Sequence, residues 1–107
     1  IEHVMPQTID EEDENGKAWV DALGQAWRKV QGAWLHTPGN LTLVGYPYNI
    51  EMQNRPFEDK KSVLSESKVY LNRHFADPGL ATWDETHIKE RGERLAEVAA
   101  RVWMGPL

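Results

Sequence analysis

The chain contains no cysteine among its 107 residues. Disulfide bonds, cysteine-ligated zinc sites and thiol nucleophiles are therefore excluded, and a reducing compartment is the expected setting. No apolar run reaches the roughly 20 residues that a membrane-spanning helix needs, and no signal-peptide pattern is present. The sequence therefore predicts a cytoplasmic protein that has no membrane contact.

Acidic residues outnumber lysine and arginine, 17 against 12, which gives a formal net charge of −5. This balance argues against a strongly basic nucleic-acid surface, because such surfaces neutralise phosphates with Lys and Arg. The charges are unevenly spread, however. Residues 1–15 hold six acids and no Lys or Arg, whereas residues 55–73 hold five bases and three acids. The sequence therefore leaves room for a local basic face within 55–73.

The length predicts one domain over residues 1–107, and a start at Ile1 instead of methionine predicts a fragment of a longer protein. Residues 1–5 are rich in apolar side chains and predict a strand. Tryptophans and aliphatic residues at helical spacing predict an amphipathic helix over about 16–34, with its tryptophans in the core. Alternating and β-branched residues over 41–46 predict a second strand. We expect it to pair antiparallel with the first, because the polar residues of the two strands can meet at one site only if the strands lie side by side.

The second half of the chain predicts two helices. The first follows soon after Asn49 and continues to about residue 75. Thr82 with Glu85 three residues later is a capping-box signature for the second helix, which Gly105-Pro106 ends. The order strand, helix, strand, helix, helix predicts an α+β fold that is mostly helical.

Three short segments carry residues suited to phosphodiester hydrolysis: Glu2-His3 in the first strand, Asn40 at the start of the second, and Asn49 before the helix. A neutral imidazole can deprotonate water near neutral pH. Carboxylate and amide oxygens suit Mg²⁺, and a metal ion stabilises charge on the phosphate and the leaving oxygen. Because adjacent strand residues point to opposite faces, Glu2 and His3 can face one site only from a frayed end or a bulge.

The chain resembles a known family through residues 1–7 (Ile-Glu-His-Val-Met-Pro-Gln), 35–43 (Leu-His-Thr-Pro-Gly-Asn-Leu-Thr-Leu) and Asn49 followed by 54–61 (Asn-Arg-Pro-Phe-Glu-Asp-Lys-Lys). These segments are similar to the C-terminal nuclease domain of GmrSD-type modification-dependent restriction enzymes, of which SspE-like anti-phage nucleases are relatives. The resemblance covers nearly the whole chain. It implies a ββα-metal (HNH, His-Me finger) core with additional amphipathic helices. It also implies a metal-dependent DNA endonuclease that restricts modified or phage DNA in the bacterial cytoplasm.

The same resemblance implies a role for each motif residue. His3 corresponds to the general base, and Asn40 to the asparagine that braces the loop and orients the histidine. Asn49 corresponds to a metal ligand on the helix. Glu2 stands where many related enzymes carry a metal-binding Asp, so Mg²⁺ (or Mn²⁺) is expected between Asn49 and Glu2, which binds the ion either directly or through water.

Four further residues are candidates whose roles the sequence leaves open. Lys60 and Lys61 are phosphate contacts or transition-state stabilisers if one of them faces the site, and otherwise a solvated pair. His36 binds phosphate, braces His3 or is structural. Asn54 is a site residue, a helix cap or a loop brace.

The resemblance also implies partners: DNA, and an N-terminal nucleotide-binding, modification-sensing domain of the same protein. The chain has no Gly-rich phosphate loop, so it is not expected to hydrolyse nucleotides itself. Two alternatives stay open, a catalytically inactive DNA-docking domain and an RNA-cleaving nuclease. The four motif positions, all occupied by suitable residues, favour an active nuclease.

Overall fold

The computed structural model describes residues 1–45, 52–67 and 69–103. In this part of the chain, helices predominate and two short strands form one sheet. This content agrees with the predicted α+β class. The elements are β1 (Glu2–His3), α1 (Glu14–Leu23), α2 (Trp27–Trp34), a 3₁₀ turn (Pro38–Asn40), β2 (Leu41–Thr42), α3 (Phe57–Ser65), a 3₁₀ helix (Tyr70–Ala76) and α4 (Glu85–Trp103).

The predicted antiparallel pairing of the two strands is confirmed, with Glu2 opposite Thr42 and His3 opposite Leu41. The strands are shorter than the predicted 1–5 and 41–46, since each has only two residues. The chain leaves the ladder after His3 because Met5 is fully buried and its backbone N–H is bound by a side chain instead of a strand. Residue 46 lies outside the described residues.

The prediction of one helix over 16–34 is wrong, because α1 and α2 are separate helices. The break falls at Gly24, whose φ of +90° lies in the region that only glycine adopts without strain. Its backbone N–H still bonds to the carbonyl of Val20, so α1 ends with that contact. The two helices together form the excursion between β1 and β2.

The prediction of a helix from near Asn49 to about residue 75 is confirmed only over α3, because residues 53–56 are not helical and the second half is wrong. α3 ends at Ser65, and the chain then forms the 3₁₀ helix. Asn72 explains the change, because its side-chain amide donates to the carbonyl of Leu43 at 2.8 Å and so holds this segment against the chain after β2. The predicted start of the helix, at Asn49, lies outside the described residues.

The final helix is confirmed, but its cap differs from the prediction. Asp84, not Thr82, accepts a hydrogen bond from the backbone N–H of His87 at 3.1 Å. Asp84 directly precedes the first helical residue, Glu85. This is the geometry of an N-cap side chain bound to the third helical residue. The predicted stop, Gly105-Pro106, lies outside the described residues.

Aromatic side chains form the centre of the core. Trp19 and Trp83 are almost wholly buried. Of the tryptophans predicted in the core, Trp19 and Trp27 are buried and Trp34 is half-buried. Phe57 of α3 stacks on Trp83 at 5.4 Å between ring centroids, and Phe75 of the 3₁₀ helix lies 5.2 Å from the same ring. The aromatic core therefore joins α3 and the 3₁₀ helix.

None of the described helices is long and apolar enough to cross a membrane.

Candidate active site

His3 lies at the end of β1 and borders an open depression of about 280 Å³. Its ring is half-buried, and its Nε2 lies 3.1 Å from Nδ1 of His36, the two rings meeting edge to face. Among the described residues, no hydrogen bond to the other ring nitrogen, Nδ1, is found. Burial lowers the pKa of His3, and the charges of His36 and Lys60 lower it further. The structure therefore pairs the two histidines and leaves one ring nitrogen of His3 for a ligand.

Asn40 is fully buried, and its side chain makes four hydrogen bonds. Its Oδ1 accepts from the backbone N–H of Met5 at 2.7 Å and from the indole N–H of Trp83 at 3.0 Å. Its Nδ2 donates to the carbonyls of Met5 at 2.9 Å and Leu35 at 3.0 Å. The carboxamide therefore ties the chain just after His3 to the end of α2 and to the core.

Glu2 and Lys60 form a buried ion pair beneath β1. Lys60 is 0% exposed and Glu2 4%, and Nζ lies 3.0 Å from Oε1. The same ammonium donates to the carbonyls of His3 at 2.8 Å and Val4 at 2.9 Å, so its three protons all have acceptors. Burial raises the pKa of the Glu2 carboxyl and lowers that of Lys60, and each partner opposes the shift of the other.

The ammonium of Lys61 also binds backbone carbonyls, but this side chain lies closer to the surface. Its ammonium donates to the carbonyl of Asp77 at 2.7 Å and also to that of Leu80. Neither Lys60 nor Lys61 therefore points an unbound ammonium at the depression beside His3. The side chains of both lysines hold backbone carbonyls in this structure, which is a different use from the phosphate contact that the sequence suggested.

Asn54 is exposed and borders the same depression as Glu2 and His3. Asn49 lies outside the described residues. Within the described ranges, no three His, Cys, Asp or Glu side chains are grouped closely enough to hold a metal ion. Glu2 and Asn54 border the depression and carry oxygen atoms of the kind that Mg²⁺ prefers, although the Glu2 carboxylate is paired with Lys60.

Arg91 also contacts the turn that carries Asn40, and its role was not predicted from the sequence. This side chain of α4 is almost wholly buried, and its guanidinium NH1 donates to the carbonyls of Gly39 at 3.0 Å and Leu41 at 2.7 Å. Burial lowers its pKa to about 10. A signal was present, because Arg91 falls three residues after Ile88 and four before Leu95, on the apolar face of the helix. A charged residue in such a stripe must find buried acceptors.

The remaining histidines, His74 and His87, pack against the aromatic core. Both rings contact Trp83, with centroid distances of 6.0 and 6.1 Å. His87 Nδ1 is also 2.7 Å from Oδ1 of the helix cap Asp84. Neither histidine borders the depression at His3.

Comparison with known proteins gives one finding. The family model for the C-terminal domain of GmrSD restriction endonucleases matches residues 1–98. No curated protein and no solved structure matches the chain. The match covers nearly the whole chain, including β1, the Asn40 turn and most of α4, and it associates the domain with restriction nuclease function. The chain therefore belongs to the family of C-terminal domains of GmrSD restriction endonucleases.

Proposed function

We propose that this domain is a metal-dependent DNA endonuclease of the ββα-metal (HNH) type, acting on modified or phage DNA. The observation that carries the proposal is the position of His3 beside the turn that carries Asn40. His3 stands at the rim of an open depression, and the buried Asn40 carboxamide fixes the backbone two residues beyond it. A general base needs both properties, access to water and a fixed position.

In the proposed reaction, His3 takes the proton of the attacking water. The proposal requires the tautomer in which His3 Nε2 carries the proton and donates it to Nδ1 of His36, which leaves His3 Nδ1 as the base. When bound, Mg²⁺ or Mn²⁺ supplies charge stabilisation at the phosphate and at the leaving oxygen. Glu2 and Asn54, which border the depression, and Asn49 are the candidates for holding the ion. An N-terminal sensing domain of the same protein would select the DNA.

Incubation with supercoiled plasmid tests the proposal. We expect nicked or linear plasmid with Mg²⁺ or Mn²⁺, and intact plasmid with EDTA, because the reaction needs the ion. A parallel incubation with single-stranded RNA tests the alternative substrate. Plasmid that binds but stays intact with either metal would indicate a DNA-docking domain, and cleavage of RNA alone would indicate a ribonuclease.

The metal requirement gives a second prediction. We expect Asn49→Ala to raise the Mg²⁺ concentration for half-maximal cleavage about tenfold or more, since lost contacts around a metal commonly cost 10- to 100-fold in affinity. Asn49→Asp should keep part of the activity because an oxygen ligand remains. Gln53→Ala is the matched control, since Gln53 borders the same depression. An unchanged Mg²⁺ requirement in Asn49→Ala would transfer the ligand role to Asn54, which Asn54→Ala would then reveal.

A further inference from the structure

Arg91 joins α4 to the turn that carries Asn40. Its NH1 donates to the carbonyls of Pro38, Gly39 and Leu41 at 3.3, 3.0 and 2.7 Å, so the acceptors lie on both sides of Asn40. Leu41 is also the β2 residue paired with His3 of β1. One buried group therefore contacts the backbone on either side of Asn40 and directly across the sheet from His3.

The turn lies unusually close to α4. A Cβ atom on Gly39 would lie 2.0 Å from the carbonyl oxygen of Ile88 and 2.9 Å from the backbone nitrogen of Gly92. Only glycine at position 39 allows this approach, which brings the carbonyls within reach of Arg91. A fourth bond, from NH2 to the carbonyl of Leu71 at 3.3 Å, also holds the guanidinium from the side of the 3₁₀ helix.

Stability alone is a poor explanation for this arrangement. Burying a guanidinium is costly, and no Asp or Glu in the described part of the chain forms an ion pair with Arg91. Its Nε is buried without a hydrogen-bond partner in the described structure, which adds to the cost. An apolar residue would fill the same space without either cost. The planar guanidinium carries several N–H donors in a fixed arrangement, so it can hold several carbonyl groups in one geometry.

We propose that Arg91 is a positioning residue for the nuclease site: it fixes the turn that carries Asn40, and Asn40 in turn fixes the backbone beyond His3. This inference rests on the proposed nuclease function for its effect on cleavage. Its structural half, the dependence of Asn40 on Arg91, can be measured without any substrate.

The indole N–H of Trp83 reports on Asn40 directly, because it donates to Oδ1 of Asn40 at 3.0 Å. The indole N–H of Trp19 donates instead to the carbonyl of Arg55 at 2.9 Å and serves as an internal reference. In a ¹⁵N-correlated NMR spectrum of Arg91→Met, we expect the Trp83 indole signal to shift and to exchange faster with solvent. The Trp19 signal should keep its position. Trp83→Phe and Trp19→Phe assign the two signals.

Cleavage of supercoiled plasmid with Mg²⁺ supplies the second readout. We expect Arg91→Met to lower kcat about 10²-fold, the cost of a reacting group misplaced by about 1 Å. KM for plasmid should stay within about twofold, because the buried Arg91 is not exposed to contact DNA and is expected to act only on the transition state. Arg91→Lys, which retains three N–H donors, should restore most of kcat and the Trp83 signal. Arg101→Met, on the exposed end of α4, is the matched control.

The outcomes separate clearly. A folded Arg91→Met with an unmoved Trp83 signal, or with a moved signal and wild-type kcat, overturns the proposal. Should Arg91→Met fail to fold, Arg91→Gln, with two N–H donors, replaces it and is judged by the same two readouts. Should the wild-type chain cleave no plasmid, the proposed function fails, while the Trp83 signal still decides whether Arg91 positions Asn40.

Discussion

His3→Ala is expected to lower the rate of plasmid cleavage by about 10² to 10⁴-fold, the usual contribution of a general base. His3 is half-buried at the rim of the depression, and its ring is bonded only to His36 among the described residues. Removing it opens no core cavity, so the domain should stay folded. DNA affinity should also stay near the wild-type value, because a base acts in the transition state. Gel assays of plasmid cleavage and of DNA binding measure the two effects.

His87→Ala is the matched control, because His87 is also half-buried but does not border the depression at His3. We expect it to leave the cleavage rate within about threefold of wild type, as is usual for a substitution outside a site. His36→Ala should fall between the two, since His3 keeps its imidazole but loses the contact to Nε2. Near wild-type cleavage by His3→Ala would show that His3 is not the base.

Local sequence signals predicted the helical segments and the pairing of the strands, but not where the elements break. Tryptophans at helical spacing located α1 and α2, yet the positive φ of Gly24 divides them. Glycine within a helical pattern is compatible with either a weakened helix or a break. Only the packing of α1 against the core, through the buried Trp19, decides between them. The end of α3 likewise depends on Asn72, whose bond to Leu43 spans 29 positions.

The candidate site shows the same limit at the level of single side chains. The sequence placed His3 and Asn40 in neighbouring strands, and the structure brings them together as expected. The roles suggested for Lys60 and Lys61 depended on the direction in which each side chain points. Apolar and charged residues are mixed along α3, so its sequence does not specify these directions. The place of Arg91 on the apolar face of α4 signals a buried charge, but its partners are backbone carbonyls far along the chain, and the sequence does not show which carbonyls these are.

Lys60→Met is expected to lower the free energy of unfolding by about 3–5 kcal/mol, the cost of breaking a buried ion pair from one side. Methionine has a similar length, so the main change is the loss of the ammonium. The Glu2 carboxylate, 4% exposed, then loses its contact with Lys60, and the carbonyls of His3 and Val4 lose a donor. Urea unfolding measures the change. Lys61→Met is the control. Lys61 donates to two carbonyls near the surface, so this substitution should lower the free energy of unfolding far less.

The double variant Glu2→Gln/Lys60→Met tells charge apart from geometry. Replacing both ions removes the buried carboxylate that had lost its contact with Lys60, so much of the lost stability should return, as it does when buried pairs are replaced together. The two single variants complete a double-mutant cycle, whose coupling energy isolates the ion pair. Equal losses in Lys60→Met and Lys61→Met would contradict a dominant role for the pair. Plasmid cleavage by the refolded double variant then tests Glu2 as a metal ligand. If Glu2 binds the ion, the double variant should regain stability but should not cleave plasmid. If Glu2 has only a structural role, the double variant should regain stability and also cleave plasmid.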